Sequence, residues 1–118
     1  MINPNIVEGQ IAGGAVQGIG GALLEDFVYD QDGNPLTTTF LDYLLPTAAD
    51  VPAIEYGHIE TPASTPGNYK GVGEGGAIGA PPAVANAVND ALAQVGARVL
   101  EAPFTPARIV AALEAVGR

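Results

Sequence analysis

The sequence predicts an α+β fold: three helices packed on a small sheet with a β-hairpin. Three observations lead there. Apolar residues recur every three to four positions near the start of the chain, over residues 84–95 and near its end, the signature of helices with one buried face. An Asp32-Gly33 turn signal stands between strand-like flanks in the second quarter. Helical and strand-like stretches do not alternate as βαβ units, so a doubly wound parallel sheet is not indicated. With 118 residues, 47% of them apolar and 6% aromatic, the chain has the length of one domain and a core built from Ala, Val, Ile and Leu.

The first helix is expected over residues 6–27, where Val7, Ile11, Ala15, Ile19, Leu23 and Phe27 form a stripe. Gly9, Gly13, Gly14, Gly18, Gly20 and Gly21 lie in the same segment. Each interior glycine costs a helix roughly 1 kcal/mol relative to alanine, so close approach to the backbone must compensate. Spacing alone leaves two sources of that approach open: tight packing of a second helix, or a ligand lying on bare backbone.

"FVYDQDGNPLTTTF" then reads as the hairpin, "DYLLPTAADVP" as a loop with two prolines, and "AIEYGHIE" as a short strand with Ile54, Tyr56 and His58 on one face. His58 is the sole histidine and no cysteine exists, so no metal site made of side chains is expected. "TPASTPGNYK" is a polar loop. A helix is expected from Pro81-Pro82, with Val84, Val88, Leu92 and Val95 as its stripe and Gly96 as its stop. "RVLEAP" is an extended link. Thr105 caps a last helix with Pro106 in its first turn and Ile109, Leu113 and Val116 facing inward.

Charge narrows the function classes. Thirteen acids face four bases, a net charge of -9, and residues 1–69 hold nine acids and no Lys or Arg. Such a surface repels phosphate backbones and argues against nucleic acid. The absence of cysteine removes disulfides, a thiolate nucleophile and cysteine-ligated iron–sulfur clusters, and fits a cytoplasmic location. No basic n-region of a signal peptide is visible, and the uncharged stretch Ile11 to Leu24 is 14 residues, short of the ~20 needed for a membrane span.

The chemistry concentrates in "YKGVGEGGAIGA". "GVGEGG" matches G-x-G-x-x-G as a string, yet a loop rather than a hydrophobic strand precedes it, and an acid inside it would repel a pyrophosphate. No Gly-Lys-Ser/Thr of a Walker loop follows. What remains is Glu74, a carboxylate on a turn of bare backbone, readable as a general base once a site closes over it or as a solvated loop acid.

"KGVGEGGAIGAPPAVANAVNDAL" resembles the C-terminal signature of the molybdenum hydroxylases: xanthine dehydrogenases, aldehyde oxidases and the large chain of aerobic carbon monoxide dehydrogenases. "INPNIVEGQIAGGAVQGIGGALLED" is similar to that family's cofactor-contacting helix, "DYLLPTAADVP" to its Asp-Tyr…Pro…Asp-x-Pro segment and "TPARIVAAL" to its closing helix. The resemblance runs through the whole chain in order. It implies that residues 1–118 are a single unit, the C-terminal fragment of a larger molybdopterin-binding domain. Glu74 would be the catalytic base in the oxidation of an aldehyde, an N-heterocycle or carbon monoxide with oxygen derived from water. Lys70, Gly71, Val72 and Gly73 would contact the molybdenum–molybdopterin cofactor, in its cytosine dinucleotide form, through main-chain groups. Gln10 would hydrogen-bond it from the first helix, and Asn3 would lie beside its nucleotide part.

The resemblance also implies partners: the remaining molybdopterin-binding chain, iron–sulfur and flavin subunits, and a small-molecule substrate. The family's chain is several times longer, so self-association of the isolated fragment is expected. The alternative function is a non-catalytic interaction or assembly subunit that pairs with a larger molybdoenzyme chain through its Gly- and Ala-rich helices.

Overall fold

A computed structural model describes residues 1–117. Three helices carry it: α1 (Pro4–Leu23), α2 (Gly75–Ala93) and α3 (Pro106–Ala115), with one 3₁₀ turn at Pro66–Asn68. Asn3 begins α1, its Oδ1 accepting from the Ile6 N–H at 3.2 Å, with Pro4 in the first turn. Thr105 begins α3 in the same way: its Oγ1 accepts from the Arg108 N–H at 3.4 Å. α1 is shorter than expected. It ends at Leu23, the Leu24 and Glu25 N–H groups closing on the Gly20 carbonyl at 2.8 and 3.0 Å, and Phe27 lies outside it, half exposed.

The expected α+β fold is corrected: among the described residues there is no sheet. The hairpin survives as a turn with one antiparallel bridge, Tyr29 to Pro35. Its ladder stops there for a definite reason. The Asp30 N–H donates to the Asn34 carbonyl at 2.9 Å and the Leu36 N–H to the Val28 carbonyl at 2.8 Å on either side of this pair, but the next ladder donor, the Val28 N–H, is taken by the Thr37 hydroxyl and not by the opposite backbone. Side chains hold the turn instead. Asp30 Oδ1 accepts from the Asp32 and Asn34 N–H groups at 2.9 and 2.8 Å. Buried Thr37 closes its base, accepting from the Val28 N–H at 2.9 Å and donating to the Asp26 carbonyl at 3.2 Å. The segment "AIEYGHIE" is irregular rather than a strand. Its alternating pattern marks an extended conformation, but ladder pairing needs a second strand, and none lies beside it among the described residues.

α2 begins six residues earlier than its prolines suggest, which places Pro81 and Pro82 at its seventh and eighth positions. Lacking N–H groups, they leave the carbonyls of Ala77 and Ile78 without helical donors. Packing offsets this. α1 and α2 cross at their small residues: a Cβ added to Gly18 would fall 2.6 Å from Ala80 Cβ and 2.8 Å from Pro81 Cδ, and one added to Gly14 would fall 2.8 Å from the Ala77 nitrogen. The glycines of α1 therefore divide. Gly14 and Gly18 meet α2, while Gly9, Gly13 and Gly21 face open space.

The core is small. Leu92, Ala97, Val99 and Phe104 are buried, with Leu23, Val88, Ile109 and Leu113 packed around them. Asn89 ties the link between α2 and α3 to this cluster. Its Nδ2 donates to the Val99 carbonyl and its Oδ1 accepts from the Val99 N–H, both at 2.9 Å. One side-chain amide thus satisfies an extended residue as a neighbouring strand would.

The radius of gyration is 18.1 Å. A self-contained domain of this length has ~13.5 Å. The accessible surface is 8539 Å², against roughly 5900 Å² for a compact monomer of this mass. Ile2, Leu41 and Ile59 are 86%, 89% and 92% exposed. The chain lies as an open layer whose faces are largely uncovered.

Candidate functional site

The loop carrying the expected site leads into α2. Lys70, Gly71, Val72, Gly73 and Glu74 are all exposed. Gly73 sits at φ +49°, a left-handed conformation that glycine adopts without Cβ strain. Glu74 is the residue before α2. Its carbonyl accepts from the Ala77 N–H at 2.9 Å, but its side chain does not cap the helix, so the carboxylate is not consumed by local structure.

Gln10 projects from α1 and its Nε2 donates to the Gly73 carbonyl at 2.8 Å. Asn3, Lys70, Gly71 and Val72 line one open groove of about 510 Å³, together with Ile6 and His58. Lys70 Nζ donates to Thr61 Oγ1. The structure thus brings four of the expected residues to one groove and links a fifth to the loop, with Glu74 two residues past the groove's edge at Val72.

Two residues take places that the sequence did not give them. His58, read as a strand residue, lines the groove with its Nε2 3.8 Å from Glu8 Oε1. No local pattern announces that placement, because it depends on where an irregular segment is laid. Gly76 was read only as one of the glycines around Glu74. It is a contact point: a Cβ there would fall 2.2 Å from the Ile11 carbonyl oxygen. The four-residue spacing of Gly76 and Ala80, matching that of Gly14 and Gly18, is the signal that marks it.

Gly71 lines this groove with backbone alone. Gly71 has an ordinary φ and no atom within 4 Å of where its Cβ would be. Nothing in this chain requires glycine there. Among the described residues no group of three or more His, Cys, Asp or Glu stands close enough to hold a metal ion, and no helix is long and apolar enough to cross a membrane.

A family described as molybdopterin cofactor-binding domain matches residues 1–52, which takes in α1 and the turn after it; the Lys70–Glu74 loop lies beyond the matched stretch. Similarity over nearly the whole of this chain covers the loop. The chain is 53% identical over 117 residues to the nicotine 6-hydroxylase large subunit of Paenarthrobacter nicotinovorans, covering 98% of this chain and 14% of that one. It is 42% identical over 109 residues to the carbon monoxide dehydrogenase large chain of Hydrogenophaga pseudoflava, covering 92% and 14%. Among solved structures, quinoline 2-oxidoreductase from Pseudomonas putida 86 superposes with a TM-score of 0.92 at 52% identity, over 97% of this chain and 15% of that one.

The chain belongs to the molybdenum hydroxylase family, as a segment of the molybdopterin-binding large subunit. It spans about one seventh of the length of the curated relatives it matches. The open shape follows from this: the same conformation occurs inside a solved chain more than six times longer.

Proposed function

We propose that residues 1–118 form the base-carrying, cofactor-contacting part of a larger molybdopterin-binding domain, and that Glu74 is its general base. The observation that carries the reading is the state of Glu74. It is a carboxylate unused by its own helix, on a loop whose neighbour Gly71 is glycine for no reason internal to the chain.

Main-chain groups of Lys70, Gly71 and Val72 would hold the cofactor along the groove, with Asn3 at its far end. The cytosine dinucleotide form of the cofactor is part of this proposal. When bound, the molybdenum–molybdopterin cofactor supplies the two-electron redox chemistry; the protein supplies the base and the alignment. Glu74 would accept the proton whose loss makes a water-derived oxygen nucleophilic, and must lie within about 2.6–3.2 Å of it when the site is assembled.

As substrate we propose an N-heteroaromatic ring, ahead of an aldehyde or carbon monoxide. In support, relatives named for nicotine and quinoline reach 53% and 52% identity, and a carbon monoxide dehydrogenase 42%. Iron–sulfur and flavin subunits are the proposed electron acceptors and the cytoplasm the proposed location, since the chain itself holds no cysteine.

The test is Glu74→Gln in the assembled enzyme. Turnover should fall ~10²- to 10⁴-fold, the usual worth of a general base, while molybdenum and pterin content stay near wild type. Wild-type turnover in that variant would remove Glu74 from the chemistry.

A further inference from the structure

The tie between α1 and the loop has a geometry that a cofactor-binding role does not explain. Gln10 and Ile11 are successive residues of α1, and they touch the chain on either side of Glu74. Gln10 Nε2 donates to the Gly73 carbonyl, one residue before the acid, at 2.8 Å. The Ile11 carbonyl packs so tightly on Gly76, two residues after it, that a Cβ there would fall at 2.2 Å.

The peptide group is planar, so fixing the Gly73 oxygen also fixes the Glu74 nitrogen in the same plane. The Gly76 contact fixes the first turn of α2. Between them the backbone of Glu74 is held at two points by one rigid helix, although the segments lie 63 residues apart in sequence. The side chain beyond the backbone is exposed and carries no cap bond. Its aim is therefore set by where the backbone is mounted.

We infer that Gln10 and Gly76 are positioning residues for Glu74, and that α1 is the template that sets the height of the carboxylate over the site. The inference rests on the reading of Glu74 as the base. It differs from a direct cofactor bond by Gln10, because it assigns the Gln10 amide to the loop.

The test is Gln10→Met in the assembled enzyme, which keeps the length of the side chain and removes the donor. Since a misplacement of about 1 Å can cost ~10²-fold in rate, kcat should fall by ~10- to 100-fold, with KM and molybdenum and pterin content unchanged. Hydrogen exchange over residues 70–79, measured on enzyme both with and without cofactor, should quicken. In a Glu74→Gln background the same substitution should lower turnover no further, because the mount acts only through the acid.

Loss of cofactor in proportion to activity would overturn the inference and make Gln10 a cofactor ligand. Unchanged exchange with unchanged kcat would also overturn it. Faster exchange in Gln10→Met, with full turnover in Glu74→Gln, would leave the mount standing and sink the base instead. Gly76→Ala gives a second reading: its methyl must push α2 away from Ile11, so exchange should quicken over the same residues with the Gln10 amide intact.

Discussion

Asp30 holds five residues of chain with one carboxylate. Its oxygens accept from the Asn34 side chain at 3.0 Å and from two backbone N–H groups, and these bonds, the Asn34 side chain foremost, keep its pKa below the ordinary value of 3.8. A depressed carboxylate stabilises the turn fully above the ordinary aspartate range and loses that contribution as pH falls through its lowered folded value. Tyr43 shows the opposite sign. Its hydroxyl donates to Glu25, which raises its pKa above 10.0. That contact is complete below the ordinary tyrosine value and is lost as pH rises through the raised one. Protection of the Asn34 amide, its exchange taken relative to an unstructured chain at the same pH, should therefore fall in acid only below the ordinary aspartate range, and in Asp30→Ala it should be absent at every pH. Protection of Asn34 in Asp30→Ala equal to wild type would contradict this account of the turn. At this scale the sequence was partly legible. Glu74 stands out because it is a lone acid among glycines after the first base of the chain. Gln10 does not, because what it touches lies 63 residues away and no local pattern encodes the distance.

The α1–α2 crossing shows how far elements could be read. Apolar spacing located all three helices, and Thr105, read as a cap, starts α3; the Asn3 cap of α1 was not read. The start of α2 was missed because proline in the interior of a helix is unfavourable by itself, whereas here its ring fills the space over Gly18. The sheet was misread for a different reason: alternation reports an extended chain, not the presence of a partner. The two glycine sets of α1 give a direct check. Gly18→Leu should destabilise the helix pair by ~1–3 kcal/mol through overpacking, and Gly18→Ala by less, since the methyl still meets Ala80 and Pro81. Gly13→Ala should stabilise α1 of the free chain by ~1 kcal/mol, because nothing in this chain opposes the methyl. Thermal denaturation of the three variants separates them. If Gly18→Ala and Gly13→Ala shifted stability by the same amount and sign, the crossing would not be where the structure has it.

For the molecule as a whole, surface decides. About 2600 Å² more is accessible than a compact monomer of this mass would expose, which exceeds the ~1,200–2,000 Å² of a standard stable interface. Much of that surface is apolar and spread over the faces of the layer, with Ile2, Phe40, Leu41, Ile59 and Leu100 all more than three-quarters exposed. Exposed patches of this kind mark contact surfaces. Sedimentation of residues 1–118 alone should show self-association that weakens as salt falls, because the -9 charge is then less screened. A compact monomer with slow exchange throughout would show that the chain covers its own faces. Charge and length were legible from the sequence. The missing area was not, because it depends on which apolar residues the fold leaves outward.

If this segment supplies one side of a molybdenum cofactor pocket and the base that works in it, it should do so inside a relative. That is tested most directly by grafting. Residues 1–118 replace the matching seventh of a related large subunit, and molybdenum, pterin and turnover are measured on the purified assembly, on the same assembly carrying Glu74→Gln, and on residues 1–118 alone. A full complement of cofactor is expected in both grafted assemblies, turnover in the first only, and neither metal nor activity in the segment by itself. Stoichiometric molybdenum bound by residues 1–118 alone, or equal turnover in the two grafted assemblies, would contradict it.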